Sequence, residues 1–141
     1  MFKKILVAVD GSPDADRAVR AGCEIARADG GSLILGHVSC LPEHYRSHLA
    51  DQLEEAIRAD GEKILEHAKR VAGEAGVEAE TRLVEKDHAA EALLELAQDL
   101  AADLIVIGVR GRTPDRVRAL GSVSEAVTRE ARASVLLVRR S

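Results

Sequence analysis

Hydrophobic positions along the chain follow two patterns, one typical of buried strands and one of helices. Nearly continuous apolar runs at 5–9, 32–38, 104–107 and 134–138 predict strands that are covered on both faces. Residues 77–84 instead alternate apolar and charged side chains, which is typical of an edge strand. The chain is therefore expected to contain five strands, four of them mainly apolar and one, the third, with the alternating pattern of an edge strand.

The stretches between these strands place apolar residues three or four positions apart, the spacing of an amphipathic helix. The first helix has a suitable N-cap in Ser12 and a Pro at its first position, where a missing N–H costs nothing. Gly61 is expected to loosen the middle of the second helix, which is the longest. The helices are predicted from Ser12 to Gly30-Gly31, from Leu49 to near Gly76, from about His88 to Leu100, and from Gly121-Ser122 onward.

The alternation of strands and helices predicts the fold class. Strand–helix–strand units give parallel strands with right-handed crossovers. We expect an α/β protein with an open, doubly wound (Rossmann-like) parallel five-stranded sheet of order 3-2-1-4-5, helices on both faces, and a single domain over residues 1–141. Ligands of such sheets bind where the strand order reverses, at the carboxyl ends of the strands. That point lies between residues 10–12, after strand one, and 108–111, after strand four.

The segment after the fourth predicted strand has the composition of an anion site. Gly108 and Gly111 allow the backbone to turn and to approach a ligand closely. Gly121 and Ser122 open a helix whose unpaired N–H groups can bind an anion, and Ser124 adds a hydroxyl there. Four arginines make the segment basic: Arg110, Arg112, Arg116 and Arg118. Together these features predict a pocket for a phosphorylated ligand.

The spacing of these residues, Gly-x2-Gly-x9-Gly-Ser from Gly108 to Ser122, resembles the nucleotide signature of the ATP-binding branch of the universal stress protein family. Residues 5–12 and 135–138 resemble that family's first and last strands, so the resemblance covers essentially the whole chain. The chain departs from the family pattern in two turns, at residues 86–88 and 133–134. The resemblance implies ATP as ligand, with Mg²⁺, and a homodimer formed through the last strand.

The predicted nucleotide site combines residues at the ends of strands one, two and four with residues at the start of the last helix. The resemblance implies that Val38, at the end of strand two, offers backbone groups to the base, with core packing as the alternative. The full predicted set is Ala8, Val9, Asp10, Ser12, Val38, Ile107, Gly108, Arg110, Gly111, Arg112, Gly121, Ser122, Val123 and Ser124.

Asp10 requires a specific role, because a bare carboxylate repels phosphates. It could bind a ribose hydroxyl or a base edge, or coordinate a Mg²⁺ ion shared with phosphate oxygens. The alternative is that Asp10 only orders the turn before Ser12. Gly108, Gly111 and Gly121 could likewise be turn and packing residues.

Composition excludes several classes of protein. A net charge of −4, with one Phe, one Tyr and no Trp, argues against nucleic-acid binding. Two cysteines are too few for a disulfide framework or a cysteine-based zinc site, and His44 and His48 have no convincing further ligand for a metal. No apolar run approaches the length of a membrane span, so we expect no membrane insertion and a cytoplasmic protein.

Three function classes follow from these observations. The leading hypothesis is an ATP-binding stress-response or regulatory protein, a sensor or adaptor whose protein partner the sequence does not identify. The second is an interaction module of the same fold that binds no nucleotide. The third is an enzyme that hydrolyses ATP slowly. The chain has no P-loop motif, which argues against a P-loop NTPase, and no nucleophile elbow, which argues against a Ser–His–Asp site.

Overall fold

The computed structural model describes residues 1–40, 50–109 and 120–139 of the 141-residue chain. Strands and helices alternate along it. In chain order they are β1 (Lys4–Ala8), α1 (Pro13–Asp29), β2 (Ser32–Ser39), α2 (Ala50–Glu74), β3 (Glu80–Glu85), α3 (Ala89–Asp99), β4 (Leu104–Gly108), α4 (Ser122–Glu130) and β5 (Ser134–Val138).

The five strands form one parallel sheet in the order β3-β2-β1-β4-β5. The predicted strand order is confirmed, including β3 at one edge. In the register of the sheet, Val7 pairs with Val106 of β4, and Ala8 pairs with Gly36 of β2. The carboxyl ends of β1 and β4 therefore lie side by side, at the point where the strand order reverses.

Helices cover both faces of the sheet, as predicted. Helices α1 and α2 pack on one face, in a core that includes Val7, Leu35 and Val106. Helices α3 and α4 pack on the other face, in a core that includes Leu6 and Ile105. Alternate residues of the central strands enter opposite cores, which explains why their sequences are apolar without interruption.

Small residues let α1 lie close to the sheet, as its sequence predicts. A Cβ atom at Gly22 would lie 2.8 Å from Val7 Cγ2 and 3.1 Å from Leu33 Cδ1. Gly30 then ends α1 with a left-handed backbone, at φ 67°, as expected for a C-terminal glycine.

Gly61 does not loosen α2, contrary to the expectation from sequence. The helix is continuous from Ala50 to Glu74, and Gly61 is buried within it. A Cβ atom there would lie 2.8 Å from both Leu83 Cδ1 and Ser39 Oγ. The glycine therefore allows α2 to approach the ends of β2 and β3.

Strand β3 begins three residues later than its alternating pattern predicts. Residues 77–79 precede it, and the first of them still belongs to the end of the preceding helical segment. Gly76 has φ 83°, and Val77 N–H donates to the carbonyl of Ala72 at 2.9 Å. The alternating sequence indicates which side chains face the core, but it does not show where backbone pairing with the next strand begins.

Within the described residues, no helix has the length and apolar character needed to cross a membrane.

Candidate functional site

The turn after β1 is held by its own side chains. Asp10 Oδ1 accepts a hydrogen bond from Ser12 N at 2.9 Å, and Gly11 has φ 84°. Ser12 Oγ accepts from Ala15 N at 3.1 Å, so Ser12 caps α1 as predicted. Asp10 is half-buried and uses one of its two oxygens in the turn, while its other oxygen is not needed there.

The end of β4 is bonded directly to the start of α4. The Val109 carbonyl accepts two hydrogen bonds, from Gly121 N at 2.8 Å and from Ser124 Oγ at 2.8 Å. Val109 N donates in turn to Val138 of β5, at 3.1 Å. The backbone therefore leaves the sheet at Val109 and returns to the same point at Gly121, which places the N-terminus of α4 beside the end of β4.

Ser124 has a structural role that the sequence does not predict. Its hydroxyl is buried and lies within hydrogen-bond distance of the carbonyls of Val109 and Gly121, at 2.8 and 3.0 Å. A hydroxyl has one proton to donate, so this group holds α4 in place. Its direct contact with phosphate stays a prediction. Ser122, by contrast, is exposed, and Gly121 caps the helix without a side-chain hydrogen bond.

Close packing against α1 requires a glycine at position 108, and the sequence does not reveal this contact. An added Cβ would lie 2.8 Å from Asp14 Cβ and 3.2 Å from the Asp14 carbonyl oxygen, in the first turn of α1. The glycine thus lets α1 reach the end of β4, which draws the turn after β1 toward the same place. This packing role is compatible with close approach of a ligand to the Gly108 backbone.

Three predicted residues have side chains in the core. Ala8 and Ile107 lie in the core beneath α3 and α4, and Val9 lies in the core beneath α1 and α2. Val38 and Val123 are half-buried against the first of these cores. These residues can offer a ligand their backbone groups, or the edges of partly covered side chains.

The structure brings most of the predicted set together at the carboxyl ends of the central strands. Residues 8–12 of β1 and its turn, 107–108 of β4, and 121–124 of α4 are linked by the contacts above, and Val38 ends the neighbouring strand. Arg110, Gly111 and Arg112 lie outside the described residues, as do the other two arginines of that segment and the histidines 44 and 48.

The described residues of the site offer few groups for metal binding or for nucleophilic chemistry. Among the described residues, no three or more His, Cys, Asp or Glu side chains are grouped so that they could hold a metal ion. Desolvation raises the pKa of the Cys40 thiol after β2, and the Asp87 carboxylate raises it further. Cys40 is therefore protonated at neutral pH and is a poor nucleophile.

Two residues of this region are not found by the sequence reasoning. Asp14, 2% exposed, follows Pro13 and reads as a surface acid in a helix's first turn. His37 binds the Val9 carbonyl through Nδ1 at 2.7 Å. The available signal for His37 is its position in β2, on the same face as Leu33 and Leu35, where a polar side chain is unexpected.

A model of the universal stress protein family matches residues 1–139. The chain belongs to the universal stress protein family. It is 40% identical to a universal stress protein of Thermus aquaticus over 144 residues, which span 99% of this chain and all of that protein.

Two similar solved structures contain adenine nucleotides. A universal stress protein in complex with cAMP is 34% identical, with a TM-score of 0.78 and 99% of each chain covered. A universal stress protein of Archaeoglobus fulgidus in complex with dAMP is 28% identical, with a TM-score of 0.72 and 96% of this chain and 97% of that chain covered. Some relatives of this universal stress protein therefore bind adenine nucleotides.

Proposed function

We propose that this universal stress protein binds an adenine nucleotide, ATP in particular, between the ends of β1 and β4. It acts as a nucleotide-dependent sensor or adaptor in the stress response, as a single cytoplasmic domain over residues 1–141. The observation that carries the proposal is the pair of hydrogen bonds to the Val109 carbonyl, which places the start of α4 beside the strand ends. The nucleotides bound by similar structures support adenine as the base.

The phosphates bind at the N-terminus of α4. Its capping residue, Gly121, has no side chain to occupy the first-turn N–H groups, and Ser122 is exposed beside them. Helix N-termini favour anions through these N–H groups and the helix dipole. Arg110 and Arg112 add positive charge on sequence grounds, and Gly111 leaves room for the phosphates.

The Asp10 carboxylate binds the ribose or the metal. One oxygen holds the turn, which leaves the other to accept from a ribose hydroxyl. A Mg²⁺ ion would need further oxygen ligands from the phosphates and water, since the described residues offer no cluster of metal ligands. The backbone at Val38, one strand away, is left for the base.

Hydrolysis is at most slow in this proposal. Transfer of a phosphoryl group to water needs a residue that orients or deprotonates that water. Asp10 is the only acid in the turn after β1. One of its oxygens accepts from Ser12 N and the other is assigned to the ribose or the metal, so the carboxylate is not free to act as a base. Bound ATP is therefore expected to persist, and its presence or absence becomes the signal to a protein partner.

The test begins with the ligand that accompanies the purified protein. Mass spectrometry of the released ligand is expected to find ATP, whereas mainly ADP would favour the slow ATPase. Calorimetric titration with ATP, AMP and cAMP, each with Mg²⁺, then gives the preference among nucleotides. A protein that binds none of them would be an interaction module without nucleotide, the alternative reading of this fold.

A glycine variant locates the phosphates. Gly111→Val should weaken ATP binding by at least about tenfold, because a side chain there blocks the approach of the phosphates. The matched control is Gly73→Val in α2, where an added Cβ meets no atom within 4 Å. Wild-type affinity in Gly111→Val would show that the phosphates bind elsewhere.

The protein is further proposed to form a homodimer by pairing of β5 with β5 of a second copy. Strand β5 lies at the edge of the sheet opposite β3, and residues 135–138 are apolar and half-buried. An apolar edge strand presents unpaired backbone groups without the charges that usually block pairing.

A further inference from the structure

His37 lies where the pairing between β1 and β2 ends. The register of the two strands runs to Ala8 and Gly36. Beyond it, Val9 N donates to the Gly36 carbonyl at 2.9 Å, and the Val9 carbonyl lies 2.7 Å from His37 Nδ1. Both backbone polar groups of Val9 are thus bound to β2, one of them through a side chain.

The direction of this hydrogen bond is fixed by chemistry. A carbonyl oxygen can only accept, so Nδ1 of His37 must bear the proton. The peptide group that joins Val9 to Asp10 is planar, so holding the Val9 carbonyl also orients the Asp10 N–H. Asp10 then directs its carboxylate at Ser12 N, 2.9 Å away. The imidazole therefore fixes the start of the turn that contains Asp10.

Helix α2 holds the imidazole from the other side. A Cβ at Gly61 would lie 3.0 Å from His37 Cδ2 and 2.8 Å from Ser39 Oγ. Because Gly61 has no side chain, the helix backbone lies against the ring, and the ring has little room to rotate away from Val9. A continuous line of contacts thus runs from α2 through His37 to the Asp10 turn.

We infer that His37 is a positioning residue of the nucleotide site, which orients the Asp10 carboxylate by donating from Nδ1 to the Val9 carbonyl. This inference rests on the proposed function, because it requires that Asp10 binds the nucleotide. His37 itself contacts the backbone and not the ligand in this scheme.

Two substitutions separate hydrogen bonding from packing. His37→Phe keeps a flat ring beside Gly61 but removes the donor, whereas His37→Asn keeps an N–H donor at the position of Nδ1. ATP affinity should fall about fivefold in His37→Phe, the usual effect of one hydrogen bond, and change less than about twofold in His37→Asn. If His37→Phe does not fold, His37→Leu takes its place.

The contrast between the two variants excludes a merely structural role. Asn is a poor strand residue, so His37→Asn should have a lower thermal midpoint than wild type. A structural role would make affinity follow stability, and the Asn variant would then lose binding as well. Wild-type affinity in His37→Phe, or equal losses in both variants, would overturn the inference.

Hydrogen exchange tests the same contact without nucleotide. In the ligand-free protein, His37→Phe should speed exchange of the Ser12 amide by about fivefold, because its acceptor on Asp10 is released, and His37→Asn should not. The Val106 amide in the central strand β4 is the control and should keep its rate. If wild type binds no nucleotide, the proposed function fails, while unchanged Ser12 exchange in His37→Phe would refute the positioning contact itself.

Discussion

Ala101, just after α3, has a backbone conformation that suits glycine better than alanine. Its φ is 53°, the one non-glycine residue with positive φ in the described part of the chain. Ala101 N donates to the Gln98 carbonyl at 3.0 Å, and Ala102 N donates to the Ala97 carbonyl at 2.9 Å. These bonds close the helix end in the way that usually places Gly in the left-handed position, so the Cβ of Ala101 is strained.

Ala101→Gly should therefore stabilise the protein. Relief of the strain, about 1–2 kcal/mol, exceeds the entropy that glycine adds to the unfolded chain, so the free energy of unfolding should rise by about 0.5–1 kcal/mol. Urea unfolding gives this value. The control is Ala59→Gly, at an exposed position inside α2, where the same change should destabilise by about 1 kcal/mol. A loss of stability in both variants would contradict the strain at Ala101.

Residues whose roles depend on their sequence neighbours can be predicted, and others cannot. Ser12 is recognisable as an N-cap because its partner, Ala15 N, lies three residues ahead. Asp14 is not recognisable as buried, because its burial depends on α1 reaching Gly108, far away in the sequence. Gly108 is recognisable from its spacing to the other glycines, but its contact with Asp14 is not, because the two residues are far apart in the sequence.

At the scale of elements, one carboxylate joins the starts of β1 and β4. Asp103 accepts from Lys3 N at 2.9 Å and from Lys4 N at 3.0 Å, and its own N–H donates to the Lys4 carbonyl at 3.0 Å. The hydrogen bonds from the backbone N–H groups lower the pKa of Asp103. The carboxylate thus fixes the amino ends of the two central strands, opposite the candidate site.

This contact makes stability depend on acid pH. Because the pKa of Asp103 is lower in the folded than in the unfolded state, its contribution is present above the unfolded value of about 4 and is lost as pH falls through the folded pKa. Asp103→Asn should therefore lower stability at pH 7 and lose less of it between about pH 4 and 2. Urea unfolding across this range measures both effects.

The control removes the same charge without the backbone contacts. Asp99→Asn, exposed in the last turn of α3, removes a carboxylate that does not join two strands, and it should not reproduce the pH profile of Asp103→Asn. The assignment to Asp103 would be refuted if the two variants had the same pH profile.

Helices and strands can be predicted here where the pattern of apolar residues within the segment determines them. Buried parallel strands are unbroken apolar runs, so β4 and β5 are predicted within one residue of their observed bounds. The end of α2 is harder, since Val77 is apolar and alternates with its neighbours, yet its N–H closes the helix onto Ala72. Gly61 has low helix propensity, and only the packing against β2 and β3 explains its place in a continuous helix.

At the scale of the whole molecule, the two edges of the sheet differ in charge. The β3 edge bears Glu80, Arg82 and Glu85, which discourage pairing with another strand. The β5 edge has Val135, Leu136 and Leu137 at half-buried positions, with no charged side chain from 134 to 138. Topology alone predicts which strands are edges, and the sequence of each edge then predicts which one can accept a partner.

A lysine on β5 tests the proposed dimer. Leu137→Lys should shift sedimentation at about 50 µM from dimer toward monomer, because a charge would have to be buried or displaced when two β5 edges pair. Thr81→Lys on β3 is the matched control, since it adds the same side chain to the opposite edge, and it should remain a dimer. Far-UV circular dichroism checks that both variants keep the fold, because Leu137 also packs partly against the core beneath α3 and α4. A wild-type protein that sediments as a monomer would refute pairing through β5, as would a folded Leu137→Lys protein that stays dimeric. Strand β5 is the expected site of pairing because β1, β2 and β4 already have a neighbouring strand on both sides. The free edge of β3 bears charged side chains, which discourage pairing there.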